Sequence, residues 1–192
     1  MTLLFFGLFA FSLALSFVAT REVRDLATRR GWVSVPRDGR QVHQAPLPRL
    51  GGVAIFLAFS VSLSLWLGLS LIFPRLVAGL AHTTLLRIYV PACLIFCLGI
   101  YDDLRGASPY LKFAVQAIAA AMLFAGGMRV FYLPVLFGQY TLPWFISLPL
   151  TVLWVVAITN AFNLIDGLDG LAAGSALFST MVFFVVALVN HS

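Results

Sequence analysis

Residues 51–73, GGVAIFLAFSVSLSLWLGLSLIF, are 23 consecutive positions without a charge. As an α-helix at 1.5 Å per residue they extend about 34 Å, enough to cross a hydrocarbon core of roughly 30 Å. The rest of the 192-residue chain repeats this pattern: 61% of its residues are hydrophobic, only 10% are charged, and the mean hydropathy is +1.02. A soluble domain carries about a quarter charged residues, so this composition excludes one. The net charge of +5 would suggest nucleic acid in a soluble protein. Here most of the basic residues are bunched in one short loop between apolar runs, which membrane topology explains better.

Working outward, uncharged runs predict an all-α polytopic membrane protein of about six transmembrane helices, near 2–20, 51–73, 85–101, 110–127, 145–162 and 171–189, forming one integral-membrane domain over 1–192. The first run lacks a preceding basic residue, and its Arg cluster follows it, so it reads as a retained helix with the N-terminus outside and not as a signal peptide. The third run has only 14 uncharged residues, Ile88 to Tyr101, and needs Leu85 and Leu86 to join it while Arg87 snorkels outward. Pro134, Gly138 and Pro143 break the stretch MRVFYLPVLFGQYTLPW (128–144), which predicts a small external β-hairpin or irregular loop. Cys93 and Cys97 lie in an apolar run without a paired motif and read as reduced packing residues.

Charge orients the bundle. Seven Arg fall in the loop 21–50, and Arg105 and Lys112 in the loop 102–112, against Arg75, Arg87 and Arg129 on the other side. The positive-inside rule makes the first group cytoplasmic. All seven acids, Glu22, Asp25, Asp38, Asp102, Asp103, Asp166 and Asp169, belong to that same side. Carboxylates gathered at one membrane surface suit cations and phosphates better than a through-pore with charges at mid-membrane.

Three segments of that side could carry chemistry. In VPRDGRQVHQAPLPRLGGVAIF (35–56) a proline-rich loop runs into Gly51-Gly52 at a helix start, where backbone N–H groups favour an anion, although a tight packing contact explains the glycines as well. In YDDLRGASPYLKFAVQ (101–116) Asp102 and Asp103 sit at the negative end of a helix dipole and call for a compensating cation, either Arg105 or a hard divalent ion such as Mg2+. Lys112 opens the next helix at the end where a positive charge is unfavourable, as expected of an anion contact. In NAFNLIDGLDGLAAG (160–174) Asn160, Asn163, Asp166 and Asp169 recur every third residue along one helix face, and their spacing does not fit an EF-hand loop.

These segments resemble the polyprenyl-phosphate N-acetylhexosamine 1-phosphate transferase family, glycosyltransferase family 4. The resemblance rests on R-x-V-H-x-x-P-x-P-R-L-G-G (Arg40 to Gly52), D-D-L followed by K-F-A-V-Q (Asp102 to Gln116) and N-A-F-N-L-I-D-G-L-D-G-L (Asn160 to Leu171), in that order and covering essentially the whole chain. The P-R-L-G-G form is more similar to the branch using UDP-N-acetylglucosamine and undecaprenyl phosphate than to the branch making the first peptidoglycan lipid. Gln41 stands where family members commonly have Lys, removing one candidate phosphate contact. Members run to about ten or eleven helices, so the resemblance implies an N-terminal fragment or truncated product that is inactive alone.

What the resemblance implies is transfer of a UDP-activated N-acetylhexosamine 1-phosphate, foremost GlcNAc 1-phosphate, to undecaprenyl phosphate with release of UMP, the first step of a cell-wall or surface-polysaccharide lipid intermediate. Asp102 and Asp103 would bind metal or deprotonate the lipid phosphate. Asp166 and Asp169 would bind metal or hold the nucleotide, with Asn160 and Asn163 orienting them. His43, Arg49, Gly51, Gly52 and Lys112 would contact substrate. The implied cofactor is Mg2+, with Mn2+ as the alternative. The implied partners are the UDP-sugar, undecaprenyl phosphate and the bilayer, without nucleic acid and with a homodimer left open. The implied location is the bacterial cytoplasmic membrane, with the site on its cytoplasmic face. A secondary transporter, which would need mid-membrane ionisable groups and an inverted repeat, and a non-catalytic membrane subunit are the alternatives.

Overall fold

Apolar chain in lipid must satisfy its backbone hydrogen bonds within itself, and the runs in this sequence do so as helices. The computed structural model describes residues 2–34, 47–73, 82–133, 140–166 and 170–190. In chain order these form α1 (Thr2–Arg29), β1 (Val33–Ser34), β2 (Leu47–Pro48), α2 (Gly51–Ile72), α3 (His82–Arg105), α4 (Pro109–Ala125), α5 (Trp144–Ile165) and α6 (Leu171–Asn190). The fold is all-α. Four helical stretches, Phe6–Arg29, Gly51–Ile72, Thr83–Arg105 and Trp144–Ile165, are long and apolar enough to cross a membrane. Pro109–Ala125 and the apolar part of α6, Leu171–Val186, are shorter. Phe17, Leu71, Trp154 and Phe183 are among the many large apolar side chains left exposed, a surface that water would not tolerate and lipid does.

The chain divides into two compact units, Met1–Arg129 and Val130–Ser192. In the first, α1 packs on α2, α2 on α3 and α3 on α4. Its buried apolar residues are mostly alanines, Ala27, Ala54, Ala58, Ala119 and Ala120. Small side chains let helix backbones approach closely where no water drives association. Across α2 and α3, Phe56 stacks on Phe96 with ring centroids 3.9 Å apart, and the Tyr89 hydroxyl donates to Ser60 Oγ at 2.9 Å. Cys93 and Cys97 are free thiols.

Two helices run past their apolar runs. α1 continues past residue 20 to Arg29, because Arg21 to Arg29 are mostly good helix formers without a breaker. Gly31, at φ 70°, then ends it: Gly31 N–H donates to the Thr28 carbonyl and Trp32 N–H to the Ala27 carbonyl, closing the helix in a left-handed C-terminal turn. α3 likewise extends beyond 85–101 at both ends, so Asp102 and Asp103 belong to its last turn.

The strand pairing also lies elsewhere than expected. Of the segment expected to form a hairpin, residues 128–133 and 140–143 contain no strand, and 134–139 lie outside the described residues. β1 and β2 instead pair antiparallel, Val33 opposite Pro48 and Ser34 opposite Leu47, flanking residues 35–46, which are outside the described set.

In the second unit α5 packs on α6. The chain entering α5 is held by two buried hydroxyls one helical turn apart. Ser147 Oγ donates to the Val130 carbonyl at 2.7 Å, and Thr151 Oγ1 accepts from Val130 N–H at 3.1 Å while donating to the Ser147 carbonyl. Removing one leaves a backbone group unpaired in an apolar setting. Ser147→Ala or Thr151→Val is therefore expected to cost about 1–3 kcal/mol. Thermal unfolding in detergent checks this, and an unchanged midpoint for both variants would refute the clamp.

Candidate functional site

At the end of α3 the backbone must reverse, and Gly106 at φ 74° makes the turn. Gly106 N–H donates to the Asp102 carbonyl at 2.9 Å, while the next amide, Ala107 N–H, donates to Asp102 Oδ1 at 2.8 Å. Ser108 then caps α4 by accepting from Leu111 N–H at 3.2 Å, with Pro109 in the first helical turn. One turn into α4, Lys112 comes back over the carboxylates and its Nζ donates to Asp102 Oδ2 at 2.6 Å. This ion pair is roughly a quarter exposed on each side, 27% for Lys112 and 28% for Asp102.

Asp103 is held from another direction. The β1–β2 pair and the bond from Arg49 N–H to the Trp32 carbonyl, 2.9 Å, tie the chain before α2 to the segment that follows α1. From there Arg49 Nη1 donates to the Asp103 carbonyl at 2.6 Å, and Leu50 N–H donates to Asp103 Oδ2 at 3.1 Å. Leu50 is left-handed, φ 69° and ψ 20°, and serves as the N-cap of α2 without a side-chain cap bond. Gly51 and Gly52 follow, and a Cβ at either would meet nothing within 4 Å. The helix start is thus open to an approaching group.

The first unit therefore gathers Arg49, Asp102, Asp103 and Lys112, with Gly51 and Gly52 next to Leu50. Asp103 Oδ1 accepts from no described residue. A carboxylate oxygen with no partner among the described residues is chemically suited to a hard oxygen-seeking cation such as Mg2+. Among the described residues no three of His, Cys, Asp and Glu lie together. Two of the expected residues, His43 and Asp169, are outside the described set.

The second unit carries the Asn/Asp segment. Asn160 and Asn163 lie in the last two turns of α5, and Asp166 is its C-cap, with N–H bonded to the Phe162 carbonyl at 3.1 Å. Asn160 Nδ2 donates to the Val156 carbonyl at 2.8 Å. Asn163 and Asp166 are exposed. Gly170, at φ 75°, leads into α6 and accepts at its carbonyl from Gly174 N–H at 2.8 Å.

Sequence reasoning missed Leu50, since nothing marks a leucine for a left-handed cap. It also missed the Ala107 amide as a partner of Asp102. The signal for the latter was present in G-A-S-P, a turn glycine followed by an N-cap serine and an N1 proline. Arg49, expected to contact substrate, points its guanidinium at a backbone carbonyl.

Residues 85–192 match the profile of the family described as glycosyl transferase family 4. Among curated proteins the chain is similar to a probable undecaprenyl-phosphate N-acetylglucosaminyl 1-phosphate transferase of Bacillus subtilis, with 38% identity over 94% of this chain and 47% of the relative. It is similar to a decaprenyl-phosphate N-acetylglucosaminephosphotransferase of Mycobacterium tuberculosis, 38% identical over 92% of this chain and 44% of the relative. An undecaprenyl-phosphate alpha-N-acetylglucosaminyl 1-phosphate transferase of Thermotoga maritima is 32% identical over 88% of this chain and 48% of its own length. The chain thus spans about half the length of the curated relatives it matches. No solved structure matches it with significance.

Proposed function

Because the chain belongs to glycosyl transferase family 4, we propose that the protein transfers N-acetylhexosamine 1-phosphate, foremost GlcNAc 1-phosphate, from a UDP-sugar to undecaprenyl phosphate at the cytoplasmic face of a bacterial membrane. The observation that carries this reading is the cluster at the end of α3, with Asp102 paired to Lys112 and Asp103 Oδ1 accepting from no described residue. In the reaction an oxygen of the lipid phosphate attacks the β-phosphorus of the UDP-sugar. The bond from that phosphorus to the oxygen bridging to the α-phosphate breaks, and UMP leaves. One phosphoanhydride replaces another, so the barrier lies mainly in bringing anions together, and positioning and charge carry the catalysis.

The residues divide these tasks. Lys112 supplies, beside Asp102, a positive charge that a phosphate oxygen can approach. The backbone N–H groups at the start of α2, where Gly51 and Gly52 lie, receive a second anion. Asp103 Oδ1 takes a proton from the lipid phosphate or contributes to a cation site, while Asp166 and Asp169, in the second unit, bind metal or hold the nucleotide. Asn160 and Asn163 orient the carboxylates that follow them. Mg2+, held by carboxylates of either unit, would neutralise charge on the diphosphate when bound. A site where apolar helices meet the basic loop suits one soluble and one lipid substrate. The reading is tested by release of UMP from UDP-GlcNAc in membranes of a host lacking its own enzyme. Release that requires undecaprenyl phosphate supports it, and release without the lipid contradicts it.

The orientation has its own test. Tyr110, at the start of α4, and Tyr140, in the segment before α5, are both strongly exposed, at 88% and 82%. With Cys93 and Cys97 replaced by Ser, Tyr140→Cys is expected to react with an impermeant thiol reagent on intact spheroplasts, and Tyr110→Cys only after lysis. The reverse labelling would overturn the orientation.

A further inference from the structure

We propose that Arg49 and Leu50 are positioning residues that set the orientation of the Asp103 carboxylate, and that Arg49 is not a substrate-phosphate contact. The inference rests on the reading of Asp103 as part of the transfer site, and it gives two neighbouring residues a role that the motif alone does not. The last four carbonyls of an α-helix have no partner within it. Near the end of α3, the Asp102 carbonyl is taken by Gly106 N–H, and the Asp103 carbonyl by Arg49 Nη1 at 2.6 Å. A guanidinium at this place also meets the negative end of the helix dipole.

The next residue completes the grip. Leu50 N–H donates to Asp103 Oδ2, so two consecutive residues hold both the backbone and the carboxylate of a single aspartate. With Oδ2 fixed, the direction of Oδ1 is fixed as well. The attachment is itself anchored, because Arg49 N–H bonds to the Trp32 carbonyl just beyond the glycine turn that ends α1.

Leu50 shows that the arrangement is imposed by its surroundings. Its φ of 69° is the only positive value at a non-glycine among the described residues. That conformation is unfavourable for a leucine and persists where the environment over-determines it. Leu50 is buried, 9% exposed, and its amide is committed to Asp103. A substrate contact that drew the guanidinium off the carbonyl it caps would loosen the aspartate just when the reaction needs it fixed.

The test uses the protein expressed from its native gene and compares Arg49→Ala with Arg49→Lys. With UDP-GlcNAc and undecaprenyl phosphate varied in turn, Arg49→Ala is expected to lower kcat about tenfold or more, the scale of a misplaced group, with both KM values held within about twofold. Arg49→Lys is expected to recover at least about half of kcat, since one ammonium can donate to one carbonyl. A readout independent of activity is amide exchange over residues 47–52, expected to quicken about tenfold in both Arg49→Ala and Asp103→Ala. A tenfold rise in KM with kcat preserved would make Arg49 a substrate contact and overturn the proposal. Unchanged kcat and unchanged exchange in Arg49→Ala would overturn it too. If Arg49→Ala fails to accumulate, the kcat and KM of Arg49→Lys and the exchange of Asp103→Ala decide. If the unaltered protein transfers nothing, the functional reading fails, and the exchange arm still decides whether Arg49 and Leu50 hold Asp103.

Discussion

Asp103→Asn and Asp166→Asn, made singly, are each expected to lower turnover at least about a hundredfold, the scale of losing a group that stabilises charge in the transition state. Amount in the membrane should stay near that of the unaltered protein. Asparagine keeps an oxygen that can accept from Leu50 N–H, so Asp103→Asn removes the charge while sparing the contact that orients the side chain. Asp166 is an exposed C-cap whose fold contribution is its backbone N–H bonded to Phe162, and Asn caps a helix end equally well. A loss in either variant therefore reports on chemistry and not on folding. Near-normal turnover in both would remove the carboxylates from the proposed site.

The second large effect is expected at the Lys112–Asp102 pair. At 2.6 Å and about three-quarters buried, it cannot be cut on one side without leaving a poorly solvated charge. Lys112→Met leaves Asp102 with the Ala107 amide and the more distant charge of Arg49, and Asp102→Asn leaves Lys112 without its counter-charge. Each single change is expected to destabilise the protein and to lower turnover about tenfold or more, while the double variant loses less than the sum, with a coupling of about 1–3 kcal/mol. Thermal unfolding of the four proteins in detergent measures the cycle. Strict additivity would mean that the two side chains do not act together.

The uncharged runs made the helices legible, because lipid leaves an apolar chain no other way to satisfy its backbone. What hydropathy does not carry is where a helix stops once it reaches water. Arg21 to Arg29 continue α1 on local propensity, and only Gly31 marks the end. Strand pairing was sought in the wrong loop, since Val33-Ser34 and Leu47-Pro48 are too short to show any alternation. Within the candidate site, the proximity of Lys112 to Asp102 follows from short-range signals: a turn glycine, an N-cap serine and an N1 proline between two helices. The hold on Asp103 is different. It depends on Arg49 and Leu50, more than fifty residues away, and on a leucine in a conformation that no pattern announces. The Ser147 and Thr151 clamp on Val130 was equally hidden, because isolated hydroxyls in an apolar helix usually bond to their own backbone.

In the proposed reaction a phosphate travels with the sugar to the lipid. The measurement uses UDP-GlcNAc carrying 32P at the β-phosphorus and 14C in the sugar, incubated with Mg2+, undecaprenyl phosphate and membranes containing the protein expressed from its native gene in a host without its own enzyme. Transfer at the β-phosphorus predicts both labels in the organic phase in equal amounts, dependent on the added lipid and lost in Asp103→Asn. Sugar label in the lipid without phosphate label would mean that the glycosidic bond, and not the phosphoanhydride, is broken. That result, or label in neither form, would contradict the account.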